Sequence, residues 1–307
     1  MADLPVIGIR FALFAALMLF TGLAAFPLYT LRRSERANRL LAAMLVRLQR
    51  WLCGLGLLVS TAGIVVLTAT MHGVAPSSVA PGMLRTILVE TDVGAGWLVR
   101  TAALLVAAIA AWSFTRRPRI AATILAAAGV AALSTLAWSG HAGATEGLTG
   151  TVHRISDALH MIAAAIWLGA IAAFLILLRP RRRGLPVKRI ALAARSLDRF
   201  GRVGTICVLV ITATGLINAQ LILGLENAGR SIASPYGQLL LIKLLLFGAM
   251  LALAAANRWR LTPALTAASI DADSSRAAAA IRRSIAAEAA AAGTILALVA
   301  WFGTLEP

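Results

Sequence analysis

Four histidines and their methionine neighbours carry the ligand chemistry of this 307-residue sequence. His153, Asp157 and His160 stand at i, i+4 and i+7, a spacing that puts all three on one face of a helix. At 1.5 Å per residue the two rings are about 10 Å apart along the axis, so they need another helix to hold one ion. Asp157 lies between them and can accept the second ring N–H of either, which fixes a ligating imidazole. Met161 follows His160, Met71 precedes His72, and His141 stands in Trp138-Ser139-Gly140-His141-Ala142. Imidazole with thioether suits copper: Cu(I) favours soft sulphur, and imidazole serves both oxidation states. The candidate metal ligands are therefore His72, His141, His153, His160, Met71 and Met161. The simpler readings are a hydrated histidine at a helix end and a methionine that fills space in a core.

Lys243 lies about a turn and a half inside an apolar stretch, where an ammonium needs a partner or a wet cavity. Asp157 is expected at a similar depth, so an Asp157–Lys243 ion pair competes with Asp157 orienting a histidine. Glu288 is expected at the start of a helix, where the N-terminal dipole favours a carboxylate. Asn218 reads as an amide bonding between helices.

The elements that must hold these residues are membrane spans. Sixty per cent of the residues are hydrophobic, 13% are charged, and mean hydropathy is +0.86. An ordinary soluble domain is roughly half apolar and about a quarter charged, which excludes a soluble globular enzyme. Eight stretches approach the ~20 apolar residues a bilayer requires, near 7–30, 50–71, 97–114, 119–139, 156–178, 203–224, 238–257 and 285–304. The third carries Arg100 near one end, where a long side chain can snorkel. The pattern is helical throughout, without the alternating ten-residue strands of a barrel. The expected fold is all-α: a polytopic helical bundle of about eight transmembrane helices, a single integral membrane domain over 1–307 with no soluble domain.

Net charge is +17, from 29 basic and 12 acidic residues. Twenty-three of the bases follow the first, third, fifth and seventh spans, while the alternate connections, tails and spans share the rest. The positive-inside rule then places the odd-numbered loops in the cytoplasm and both termini in the periplasm. All four histidines fall at or near the outer face. The basic residues sit on short connections with no domain to grip a nucleic acid, so a nucleic-acid partner is excluded and the lipid bilayer is the partner. The N-terminus lacks the basic region of a cleaved signal, so the first span reads as retained.

Cys53 and Cys207 read as small core residues, since cytosolic-side thiols rarely pair. Val187, Ile190, Leu197 and Phe200 among arginines suggest a basic amphipathic helix on the inner leaflet. The Ala-rich run from Arg276 is expected to extend the last span as a helix. No phosphate-binding loop, Cys-x-x-Cys or Ser-His-Asp pattern marks an enzyme.

The order of several motifs resembles the copper resistance protein D family (CopD/PcoD) of bacterial inner-membrane proteins. They are Ser139-Gly140-His141-Ala142, then Asp157-Ala158-Leu159-His160 running into Ala165-Ile166-Trp167-Leu168-Gly169. Phe200-Gly201-Arg202-Val203-Gly204, Thr214-Gly215-Leu216-Ile217-Asn218-Ala219 and Ser234-Pro235-Tyr236-Gly237 follow. Lys243, Asn257-Arg258, Leu261-Thr262-Pro263 and Gly303-Thr304-Leu305-Glu306-Pro307 complete the series. The resemblance covers 139–307, with its core at 195–307. It implies copper homeostasis and resistance at the inner membrane: a multi-pass protein that moves or handles copper ions, with a periplasmic CopC-type copper-binding partner. Two other classes stay open on the residues alone. One is a haem b-binding electron-transfer protein, for which His141 and His160 are the best axial pair although their depths match poorly. The other is a membrane scaffold without metal.

Overall fold

The computed structural model describes residues 4–36, 39–113, 117–140, 143, 145–180, 186–224, 234–268 and 274–303. His141 lies outside the described residues.

Among the described residues, eight helices are long and apolar enough to span a membrane. They are α1 (Leu4–Thr30), α2 (Arg39–His72), α3 (Asp92–Ser113), α4 (Pro118–Ser134), α5 (Gly147–Leu177), α6 (Val187–Leu223), α7 (Pro235–Ala256) and α8 (Ser274–Phe302). Each coincides with an expected span, and several run past it. The chain is an all-α bundle, with no strand among the described residues. Local chemistry sets the ends. Pro118 and Pro235 occupy first-turn positions, where a missing N–H costs nothing. The Ser234 hydroxyl accepts from the Gly237 N–H at 3.1 Å. Gly224, at φ +70°, closes α6 in a conformation that a side chain would strain.

Helix α1 is the hub, packing against α2, α4, α5, α6 and α8. Its crossing with α5 is closest at two glycines. A Cβ on Gly22 would lie 1.8 Å from the Ala165 carbonyl oxygen, and one on Gly169 would lie 2.2 Å from the Gly22 carbonyl carbon. Where the surroundings are as apolar as the side chains, such small-residue seams bring helices together. Helix α7 packs on α8, but among the described residues it barely touches its chain neighbour α6. That splay opens the interior between them.

One end of the bundle carries the arginine-rich connections, and these residues cap helices. Arg36 donates to the Pro27 carbonyl at 3.0 Å and Arg199 to the Thr30 carbonyl at 2.7 Å, both at the C-terminus of α1. Arg50 reaches the Ala111 carbonyl near the end of α3, and Arg189 the Ile176 carbonyl near the end of α5. The odd-numbered spans all end here, so the last-turn carbonyls and the negative pole of each dipole meet cations.

Three sequence expectations change. The segment 187–200 is no separate surface helix: it is the first part of the continuous 37-residue α6. Ile190 and Leu197 are buried in the protein core and Phe200 packs against it, while Val187 stays exposed, so most of the apolar face covers protein. Arg100 does not snorkel. It is 7% exposed and donates to the Ser60 and Thr135 hydroxyls at 2.8 and 3.0 Å. Glu288 sits mid-way along α8, because the Ala-rich run does extend the helix back to Ser274. Cys53 and Cys207 are buried thiols, as expected of core residues.

Candidate metal site

The splay between α6 and α7 forms part of an open cavity of about 500 Å³, walled by α5, α6, α7 and α8 with Met18 from α1. From α5 it takes His160, Ala164, Trp167, Leu168 and Ile171, one helical face, with His160 nearest the end opposite the arginines. Helix α7 contributes Lys243, Phe247 and Met250. The remaining wall is mainly aliphatic, so the few polar groups stand out chemically.

His160 Nδ1 lies 3.0 Å from Thr214 Oγ1 on α6. That hydroxyl spends its one proton on the main chain, donating to the Val210 carbonyl at 2.5 Å. It must therefore accept from the ring, which makes Nδ1 the N–H nitrogen and leaves the Nε2 lone pair unspent. A ligating imidazole has this form, with the second nitrogen fixed by a protein acceptor. The ring packs beside Gly215, where a Cβ would meet His160 Cε1 at 3.6 Å, an ordinary contact. The Ser156 hydroxyl donates to the Thr214 carbonyl at 3.3 Å and ties α5 to α6 beside it.

The other expected ligands are spread out. His153 is 2% exposed, with Nδ1 3.0 Å from Thr145 Oγ1. His72 ends α2 exposed, and its Nδ1 donates to the Thr68 carbonyl at 2.9 Å. Met71, beside it, is 61% exposed, whereas Met161 is packed in the main core. Among the described residues no group of three or more His, Cys, Asp or Glu side chains could hold a metal ion. Asp157 interacts electrostatically with Lys243 of α7, and Lys243 also acts on His160. The orienting contacts of His153 and His160 come from threonines, which the spacing argument did not anticipate. The Asn218 side-chain oxygen is buried without a hydrogen-bond partner among the described residues.

The family model for Copper resistance protein D matches residues 194–302, and that for the Copper resistance protein D-like N-terminal domain matches residues 1–151. The chain is 38% identical over 307 residues to Copper resistance protein D of Pseudomonas syringae pv. tomato, covering all of this chain and 98% of that one. This chain belongs to the copper resistance protein D family. It is also 31% identical over 304 residues to Inner membrane protein YebZ of Escherichia coli (strain K12), covering 98% of each. Copper transport protein CutJ of Bacillus subtilis (strain 168) is 32% identical over 257 residues, which is 80% of this chain and 44% of that protein. No solved structure matches it.

In this member of the copper resistance protein D family, the structure adds three residues that the sequence did not single out for the site. Met18 and Met250, each nearly buried, line the same cavity as His160. They are the thioethers brought to that cavity, in place of Met71 and Met161. Met250 stands at i+7 from Lys243, a signal for one face of α7; nothing local to Met18 points to it. The third is Glu288, whose Oε2 accepts from Trp167 Nε1 at 3.4 Å and whose Oε1 accepts from Asn257 Nδ2. Trp167 stands between this carboxylate and the cavity wall it helps to form.

Proposed function

We propose that this protein moves or handles copper ions at the bacterial inner membrane, holding the ion in the cavity between α5, α6, α7 and α8. Its names among relatives support both parts: two are named for copper resistance or transport, and one as an inner membrane protein. The basic connections lie in the cytoplasm by the positive-inside rule, which puts both termini and His160 toward the periplasm. The whole of 1–307 acts as one integral membrane domain without a soluble part, and 139–307, with its core at 195–307, is its most CopD-like region. It works as a carrier or binding protein and catalyses no covalent step.

The observation that carries this reading is His160, fixed by Thr214 as the Nδ1–H tautomer on the wall of the cavity. Its Nε2 offers copper a neutral nitrogen in either oxidation state, and Met18 and Met250, which line the same cavity, suit Cu(I). His72 with Met71, and His141, collect the ion at the periplasmic side, and His153 and Met161 receive it inside the bundle. A CopC-type periplasmic copper-binding protein delivers it, and the surrounding partner is the lipid bilayer.

Titration of the purified protein with Cu(I) and Cu(II) against a competing chelator tests the site. Replacing His141 and His160 together by alanine should weaken binding at least about tenfold. Unchanged affinity removes these histidines from the site. Copper uptake into proteoliposomes of known orientation, with and without a periplasmic copper-binding protein, tests the transport step.

A further inference from the structure

Glu288 is 3% exposed, deep in the bundle, and both groups that hold it are neutral: the Trp167 indole N–H from α5 and the Asn257 amide. An ionised carboxylate in such a place needs a cation, or it takes up a proton. Among the described residues no cation pairs with it. Of the charged groups on the elements packed around it, Arg202 of α6 and Arg260, three residues after Asn257, are exposed, and Arg276 of α8 has an interaction of its own. Arg258, next to Asn257, donates to the Gly201 carbonyl and the Thr205 hydroxyl of α6. On α6, Arg195 pairs with Glu35 and Arg199 caps α1. Arg10, the one charged residue of α1, lies beside Gly303 at the far end of α8. On α8 itself Arg282 and Arg283 precede Glu288 by more than a turn, and Arg283 is exposed. Lys243 of α7 is engaged with Asp157 of α5.

Asn257 supplies a second, independent observation. Its side-chain oxygen is buried with no hydrogen-bond partner among the described residues. With its Nδ2 turned to Glu288 the amide serves the ionised carboxylate. Turned by half a revolution, the same amide offers its oxygen to the O–H of a protonated carboxyl. One residue thus satisfies both forms. It opens the π-turn Asn257–Leu261, a one-residue insertion of the kind that recurs at functional sites.

We propose that Glu288 is a proton-exchanging site, held by Trp167 and Asn257, that balances the charge of a cation entering the cavity beyond Trp167. The exchange is one for one: the Glu288 carboxyl loses a proton to become a carboxylate as a monovalent cation arrives, and regains it when the cation leaves. No bond other than the O–H changes and no electron moves. The proton site stands on the geometry of Glu288; its coupling rests on the copper reading of the cavity.

Infrared difference spectroscopy of the full-length protein in lipid vesicles separates the two. A step from mildly acid to mildly alkaline pH should abolish a carbonyl stretch of a protonated carboxyl that is missing in Glu288→Gln. Asn257→Leu, which removes the donor to the ionised form, should move that loss to higher pH. Trp167→Phe should do the same by the same reasoning, and it keeps the ring should Glu288→Gln fail to fold. Adding Cu(I) at the acid side should abolish the same band in the wild type and release a proton to an external pH dye. A band untouched by pH, or one still present in Glu288→Gln, overturns the proton site. A band that answers to pH but not to Cu(I), in protein that binds Cu(I), overturns the coupling. Protein that binds no copper leaves the proton site standing and refutes the copper reading instead.

Discussion

At the scale of single residues, the decisive group is a threonine. Thr214 has one hydroxyl proton and gives it to its own helix, so it can only accept from His160. Thr214→Val keeps the shape and removes the acceptor, which frees the ring to rotate and to change tautomer. Copper affinity should fall about 10- to 100-fold, the usual cost of losing a group that orients a ligating histidine. Titration of that variant beside His160→Ala checks it: a loss in His160→Ala with none in Thr214→Val would show that the hydroxyl does not orient the ligand. His160 itself was legible from its depth and helical face. Thr214 was not, because its role depends on a contact across 54 residues of sequence.

At the scale of elements, the α1–α5 crossing and the caps at the basic end carry the stability. A side chain at Gly169 would drive α5 into the α1 backbone, which cannot yield as a side-chain tip can. Gly169→Val should cost more than the ~1–3 kcal/mol of ordinary overpacking, read as a lower thermal midpoint in detergent. A smaller, pH-dependent effect belongs to the Glu35–Arg195 ion pair, 2.6 Å apart with side chains 16% and 46% exposed. Partial burial pushes the Glu35 carboxyl up, but the Arg32 N–H and the Arg195 guanidinium outweigh it and hold it below its usual range. A carboxylate lowered in the folded state contributes stability above its unfolded pKa, and that share is lost as pH falls through the folded value. Being half in water, the pair contributes less than ~1 kcal/mol. Arg195→Ala should therefore lower the thermal midpoint slightly at neutral pH and flatten its decline in acid. An unchanged acid limb would show that Glu35 is not held by this pair. That these helices exist was plain from hydropathy. That 187–223 is one helix was not, since a run of arginines next to an apolar stretch reads equally well as a surface segment.

At the scale of the whole molecule, the bundle has one basic end, which the positive-inside rule predicts to face the cytoplasm. With Cys53 and Cys207 replaced by alanine, Ser78→Cys should react with a membrane-impermeant maleimide on intact cells. Ser34→Cys, among the arginines, should react only after permeabilisation. The opposite pattern would invert the molecule and put His160 toward the cytoplasm.

The sequence by itself determined the eight spans, their basic end and the candidate histidines. Hydropathy and charge are properties of a segment, and they add up along the chain without reference to any neighbour. The tertiary structure alone decided which faces meet: Gly22 against Gly169, Thr214 against His160, Trp167 and Asn257 around Glu288, and Met18 and Met250 lining one cavity. In water an amphipathic stripe points a helix at its core. In lipid an apolar side chain is equally at home facing the bilayer or a neighbouring helix, so the pattern stops pointing. Close packing of small residues and the pairing of buried polar groups make the choice instead, and both depend on residues far apart in the chain.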